Sequence, residues 1–274
     1  MRYRSVLPDI NRLSIVLAAI MLAFALTMVV SFPDRSVAFN FLGIELSFSI
    51  DFQTLVILLT GFLAAAGMEW LIQSHPGERQ KTTGGRSFQH LILPILTTLV
   101  IGVALSNFEA GVYWWVIFGL GSLLLMGVLI AEYNVSDIEV ADQYPLAKVG
   151  LTGLSFALYL LLTVAVYAAD LRLYLRVPIL AIGALGVINR SLYLRLGEFY
   201  PVWSLVNSII VSEVAIGLHY LPTAPILFGL ILVGLAYGLT ATVSGIKESR
   251  TGWALWGEPV GMLLILILIG LIWP

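Results

Sequence analysis

Apolar stretches of about twenty residues, free of charged side chains, recur along the whole chain, and a helix needs about 20 such residues to cross about 30 Å of hydrocarbon. The chain has 274 residues. Nine such stretches would take up about 180 residues and leave about 94 for eight loops and two tails. No sizeable soluble domain fits into that remainder, which excludes a cytosolic enzyme and a fused nucleotide-binding domain.

Charge is scarce, since 59% of the residues are apolar and only 11% are charged, against about a quarter in an ordinary globular domain. A net charge of −2 gives no footprint for nucleic acid. The absence of cysteine removes disulfides, thiolate metal sites and iron–sulfur ligation. We expect one all-α integral membrane domain over residues 1–274, in contact with the lipid bilayer, with no cofactor, metal site or catalytic residue.

The uncharged stretches predict nine transmembrane helices. The first follows Arg2, Arg4 and Arg12 and is interpreted as a retained signal anchor. The other eight pair into four hairpins. The residues from Arg190 to Tyr200 either continue the sixth helix or lie along the interface. The predicted helices are 13–31, 52–73, 88–107, 112–131, 147–168, 171–189, 201–219, 223–245 and 253–273.

The distribution of Lys and Arg predicts the orientation, because positive charge near the ends of spans stays cytoplasmic. A cytoplasmic N-terminus places eleven cations inside and three outside, and Pro274 on the outer side. This is the expected topology of a multi-pass protein of the bacterial inner (plasma) membrane. The inside set is Arg2, Arg4, Arg12, Arg79, Lys81, Arg86, Lys148, Arg190, Arg195, Lys247 and Arg250, and the outside set is Arg35, Arg172 and Arg176.

The loop after the first helix has a pattern of its own. From residue 37 to residue 51, apolar and polar residues alternate around Leu42 and Gly43, and alternation around a glycine turn predicts a β-hairpin. The orientation places this hairpin on the outer side. Its apolar face packs either on the outer ends of the helices or on a partner protein.

Two charged residues lie deepest within the predicted spans. Glu213 lies twelve residues beyond Pro201 and six before His219, about 9 Å below the outer end of its helix. Arg176 enters the neighbouring sixth helix from the same side to a depth of about 7.5 Å. Because the depths match, Arg176 and Glu213 are predicted to pair. The pair either fixes the register of the two helices or couples ion binding to transport, with Ser208 and Ser212 nearby.

Four ionisable residues fall near one level on the cytoplasmic side: Glu69, His90, Glu132 and Glu258. They line a vestibule, a quinone pocket or a proton route, or they are interfacial side chains that reach water. Glu69 and Glu258 are the strongest candidates, because the short stem of a carboxylate reaches the interface poorly.

The fourth loop carries an acidic cluster of Asp137, Glu139 and Asp142. Membrane prenyltransferases hold magnesium diphosphate with aspartate-rich loops, but their N-D-x-x-D arrangement is absent here. The cluster is interpreted as a solvated loop, a cation site or a docking surface for a basic partner.

The segment from the hairpin through GMEWLIQSHP to the HLILP start of the third helix, residues 37–100, resembles an uncharacterised bacterial multi-pass membrane family, a domain of unknown function. The resemblance implies about nine helices and no assigned activity. Bacteria that carry such proteins also use supernumerary membrane subunits in quinol-oxidising complexes, so the resemblance allows that setting.

Three functions compete. The first is a non-catalytic accessory or structural subunit of a larger membrane complex, such as an electron-transfer or quinol-oxidising complex, which contacts other subunits through the hairpin and the C-terminal helix. The second is a proton- or ion-coupled carrier of small solutes that uses Glu213, Glu69 and Glu258. The third is an enzyme acting on lipid through the acidic loop and His90. The first is preferred, because the prolines cluster near the ends of the spans rather than breaking them at the midplane.

Overall fold

The computed structural model describes residues 8–30, 35–41, 44–73, 88–135 and 145–272. Within these ranges the chain forms nine α-helices and two β-strands. In chain order they are α1 Ile10–Leu26, β1 Arg35–Phe41, β2 Ile44–Ile50, α2 Phe52–Ile72, α3 Phe88–Ser106, α4 Val112–Val135, α5 Pro145–Ala168, α6 Leu173–Leu196, α7 Pro201–His219, α8 Pro225–Lys247 and α9 Trp253–Ile272.

Eight of the described helices, α2 to α9, are long and apolar enough to cross a membrane. This confirms a multi-span helical membrane protein, and the starts of α2, α3, α4, α7 and α9 coincide with the predicted ones. The first helix differs, because it has 17 residues and lies nearer the N-terminus than predicted. Asp9 caps it by accepting a hydrogen bond from the backbone N–H of Asn11 at 3.0 Å, and this cap draws Arg12 into the first turn.

The sixth helix continues through the residues whose assignment was open. It runs to Leu196 and stops at Gly197, which has a left-handed φ of 74° and whose N–H bonds to the carbonyl of Tyr193. Glycine adopts this conformation without the steric penalty of a Cβ. Arg190 is therefore a residue of the helix interior and not of a loop.

The two strands pair antiparallel, with Arg35 opposite Ile50 and Phe41 opposite Ile44. They coincide with the predicted 37–51 segment to within two residues. The predicted turn at Leu42 and Gly43 lies outside the described residues. Asp51 ends the second strand and caps α2, because its Oδ1 accepts the backbone N–H of Thr54 at 2.8 Å.

The chain forms two compact units, Met1–Asn134 and Val135–Pro274. In the first unit, one apolar cluster draws on all four helices, α1 to α4. Close approach depends on two glycines: a Cβ at Gly67 of α2 would collide with Val16 of α1, and a Cβ at Gly102 of α3 would lie 2.5 Å from Ile57 of α2. Small residues at such contacts let helix backbones come close where lipid supplies no hydrophobic drive.

In the second unit, α8 is the central helix, packing against α5, α6, α7 and α9. The glycines of α8 lie against different neighbouring helices. Gly229 meets α5 at Thr163, whereas Gly234, Gly238 and Gly245 meet α9. The last helix packs mainly on this glycine-lined face. Its remaining surface is apolar and exposed, and only 11% of Trp253–Gly270 is buried.

We predict that Gly67→Val destabilises the first unit by about 1 to 3 kcal/mol, the usual cost of overpacking. The new side chain would occupy the space of Val16. The midpoint of thermal unfolding in detergent would fall. The matched control is Gly127→Val on α4, where an added Cβ meets nothing within 4 Å, and equal losses in the two variants would contradict the prediction.

Candidate functional site

Arg176, at the start of α6, is buried with 4% exposure and is held by three groups from the same end of the second unit. Its Nη1 lies 2.8 Å from Nδ1 of His219, and its Nη2 lies 3.7 Å from Oδ1 of Asp170. Its guanidinium lies over the ring of Tyr167, 4.9 Å from the centroid. A guanidinium only donates, so Nδ1 of His219 accepts and is unprotonated in this contact.

The predicted pair of Arg176 with Glu213 is corrected by these contacts. Glu213 is exposed, and it lies nine residues beyond Ser204, which is fully buried. Nine residues at about 100° each amount to about two and a half turns, so the two side chains lie on opposite faces of α7. The depths of Arg176 and Glu213 match, but Glu213 points away from α6, and His219 takes its place.

A polar strip joins α6 to α7 further along the helices. Ser208 donates to the carbonyl of Ala181 at 2.6 Å, and Ser204 donates to Oδ1 of Asn189 at 3.4 Å. Asn207 is buried beside them, and its Nδ2 has no hydrogen-bond partner. Ser208 and Ser212, which the sequence associated with Glu213, lie on the buried face.

Arg190 is a second buried arginine of α6, and its side chain is fully buried. Its guanidinium lies 5.8 Å from the ring centroid of Tyr193. The sequence prediction does not identify Arg190 as an interior residue, because it ends the sixth helix at 189 and counts Arg190 with the cytoplasmic cations. The signal was present, since Leu192 and Leu194 continue the apolar pattern as far as the stop at Gly197.

His90 and Glu132, two of the four residues expected at one level, form a buried pair in the first unit. Nδ1 of His90 lies 2.8 Å from Oε2 of Glu132, with side-chain exposures of 6% and 0%. The pair joins the start of α3 to the last turn of α4. A histidine beside a carboxylate can hold or pass a proton, and a buried pair also fixes the register of two helices.

Glu69 is not part of that pair. It is half-buried and accepts a hydrogen bond from Nε2 of Gln73 on its own helix at 3.4 Å. Nearby, Nη1 of Arg12 donates to the carbonyl of Trp70 at 3.3 Å, which ties α1 to α2.

Glu258 belongs to an ion-pair network in the second unit. Tyr237 donates to its Oε1 at 2.6 Å, Arg195 donates to the same atom at 3.2 Å, and Nη1 of Arg250 lies 3.6 Å from its Oε2. Arg250 also pairs with Glu248 at 2.6 Å. The network joins the end of α6 and the start of α9 to Tyr237 in the middle of α8 and to the residues that follow α8. It contains two cations and two carboxylates.

In the loop between α6 and α7, a tyrosine again donates to a glutamate and lies beside a cation. Tyr200 donates to Oε2 of Glu198 at 2.9 Å, which raises the pKa of Tyr200, and Nζ of Lys247 lies 4.7 Å from the Tyr200 ring centroid. These contacts join the loop before α7 to the end of α8.

Within the described ranges, no three His, Asp or Glu side chains are grouped to hold a metal ion. The predicted acidic cluster of Asp137, Glu139 and Asp142 lies outside those ranges. Most of the contacts described above join neighbouring helices. Among the described carboxylates, Glu213 lies deep in a span and is exposed.

We predict that Glu132→Ala destabilises the protein by about 3 to 5 kcal/mol, because it removes one partner of a buried pair. Thermal unfolding in detergent measures the loss. Glu69→Ala is the control in the same unit, and its loss is expected to stay below about 1 kcal/mol, since one weak hydrogen bond is removed. A similar effect of both variants would argue against a special role of the pair.

We further predict that His219→Phe destabilises the second unit by about 1.5 to 3 kcal/mol, the value of a hydrogen bond to a charged group. His219→Asn offers an amide oxygen near the position of Nδ1 and should recover part of the loss. The control is Tyr220→Phe, at a neighbouring side chain that is 74% exposed. If His219→Asn were no better than His219→Phe, the hydrogen bond from Arg176 would not be the stabilising contact.

Comparison with known proteins gives one family. No curated protein and no solved structure matches the chain at a significant level. A family model described as a protein of unknown function, DUF5656, matches residues 32–273. This confirms the resemblance to an uncharacterised family and extends it well beyond residues 37–100. The chain therefore belongs to the DUF5656 family of proteins of unknown function.

Proposed function

We propose that this chain is a non-catalytic accessory or structural subunit of a larger membrane assembly. The observation that supports the proposal is the exposure of Glu213, a carboxylate well inside the α7 span. A charge near the centre of a span costs up to about 3 kcal/mol. The short stem of a glutamate reaches the interface poorly, so a partner that covers Glu213 would remove a cost that lipid cannot.

Exposed apolar surface on two further helices is consistent with assembly. On α9 the exposed side chains include Leu264, Leu268 and Ile272, and on α4 they include Leu120 and Leu123. Such faces suit lipid or another subunit equally. The hairpin on the outer side and the C-terminal helix remain the additional partner surfaces that the sequence suggested.

The proposed setting is the bacterial plasma membrane, with the N-terminus in the cytoplasm and the C-terminus outside. The support is the distribution of cations. Leaving out Arg190 and Arg176, which lie buried within α6, the inside and outside counts become ten against two. The bias toward the cytoplasm is thus kept when the two buried arginines are not counted.

A proton- or ion-coupled carrier remains the alternative, but the contacts favour it less. It needs carboxylates that face an interior path. Glu213 faces away from the packed side of α7, and Glu258 is paired with Tyr237, Arg195 and Arg250.

We predict that the full chain, tagged and expressed at its native level, is recovered in mild detergent within a particle much larger than its own 29.9 kDa. Other membrane proteins should be present in constant ratio, because a subunit has fixed partners. Light scattering gives the mass, and mass spectrometry names the partners and the type of complex, a quinol-oxidising one included. Recovery as a lone, stable monomer would contradict the proposal.

A further inference from the structure

The exposed face of α7 has a regular pattern. Val202, Val206, Ile209, Glu213 and Ile216 follow one another at intervals of four, three, four and three residues, and all five are exposed. This is the spacing of the a and d positions of a heptad, which form one seam along a helix. The seam lies opposite the buried face of α7, where the helix packs on α6 and α8.

The seam covers about two thirds of the thickness of the hydrocarbon core. From Val202 to Ile216 it extends about 21 Å, along a hydrocarbon core of about 30 Å. A second helix with apolar side chains at the same spacing would pack along it at a shallow crossing angle. Among the apolar members of the seam, exposure is greatest at Val202, at 71%, and all four of these residues are β-branched.

Glu213 determines what that second helix must carry. The carboxylate lies within the seam, and in the described part of the chain it forms no hydrogen bond or ion pair. We propose, on the basis of the assembly proposed above, that the seam binds a transmembrane helix of a different protein with a Lys or Arg at the level of Glu213. The cation would neutralise the carboxylate away from water, and an arginine could bind both oxygens.

A second copy of this chain fits the seam poorly. Two α7 helices related by a two-fold axis present the same face to each other, so each Glu213 would approach the other, and like charges are disfavoured. The described residues offer no exposed cation in the middle of a span, because Arg176 and Arg190 are buried and the exposed cations Arg172, Lys247 and Arg250 lie at helix ends.

Photo-crosslinking in native membranes tests the proposal. Benzoylphenylalanine is placed at Ile209, about one turn from Glu213, and in a control chain at Leu264, which is 54% exposed on α9. We expect Ile209 to give an adduct with a membrane protein whose helix carries Lys or Arg at the matching level. Mass spectrometry identifies the protein and the crosslinked position.

Exchanging the charges of Glu213 and of the partner's cation tests whether the two groups pair. Glu213→Lys should reduce the Ile209 adduct about tenfold or more, equivalent to about 1.4 kcal/mol, and changing the partner's cation to Glu should restore it. Glu213→Gln keeps the shape and should give an intermediate yield. Because Glu213 is exposed, the thermal stability of each purified variant should match that of the parent chain, which separates lost binding from lost folding.

Other outcomes overturn the inference in distinguishable ways. An adduct at twice 29.9 kDa would show that the seam binds a second copy. Adducts from Leu264 alone, or an Ile209 adduct that survives Glu213→Lys, would leave the chain in an assembly but move the contact away from Glu213. No adduct from either position, with recovery as a monomer, would refute the assembly itself. Since the chain has no cysteine, a single cysteine placed along the seam and a second one placed at the facing position of the partner helix can confirm the same contact by disulfide formation with an added oxidant.

Discussion

Hydrogen bonding without water is the constraint on which the structure depends. In hydrocarbon every backbone N–H and C=O must be satisfied within the protein, which leaves the helix as the natural form of each span. Several hydroxyl groups within the spans obey the same constraint by donating to carbonyl groups of their own helix. Thr97 donates to the carbonyl of Leu93, Ser155 to that of Leu151 and Thr240 to that of Ala236, each at 2.7 Å. These residues are polar in the sequence, but in the interior their hydroxyl hydrogen is already bonded to a backbone carbonyl.

The charged side chains described here occur in three kinds of surroundings. Arg176 and Glu132 are buried with a histidine beside each. Glu258 lies near a helix end among cations and a tyrosine. Glu213 alone among these carboxylates is deep in a span and exposed, so it is the carboxylate that a partner protein would cover.

The helices could be predicted from the sequence because uncharged apolar length is a property of the chain itself. The ends of α1 and α6 could not, since they depend on the cap at Asp9 and the left-handed turn at Gly197. Depth along a helix was also predictable for Arg176 and Glu213. The side toward which Glu213 points was not, because it is fixed by how α7 packs on α6 and α8. The pairing of His90 with Glu132 required that same knowledge of packing.

The glycine-lined face of α8 has a consequence for biosynthesis. Helix α9 is the last described helix to leave the ribosome, and the surface on which it mainly packs is already present in α8. Its docking can therefore follow the folding of α5 to α8 as a separate step. Before that step, the glycine-lined face of α8 is open to lipid. Another helix in the membrane could then compete with α9 for this face.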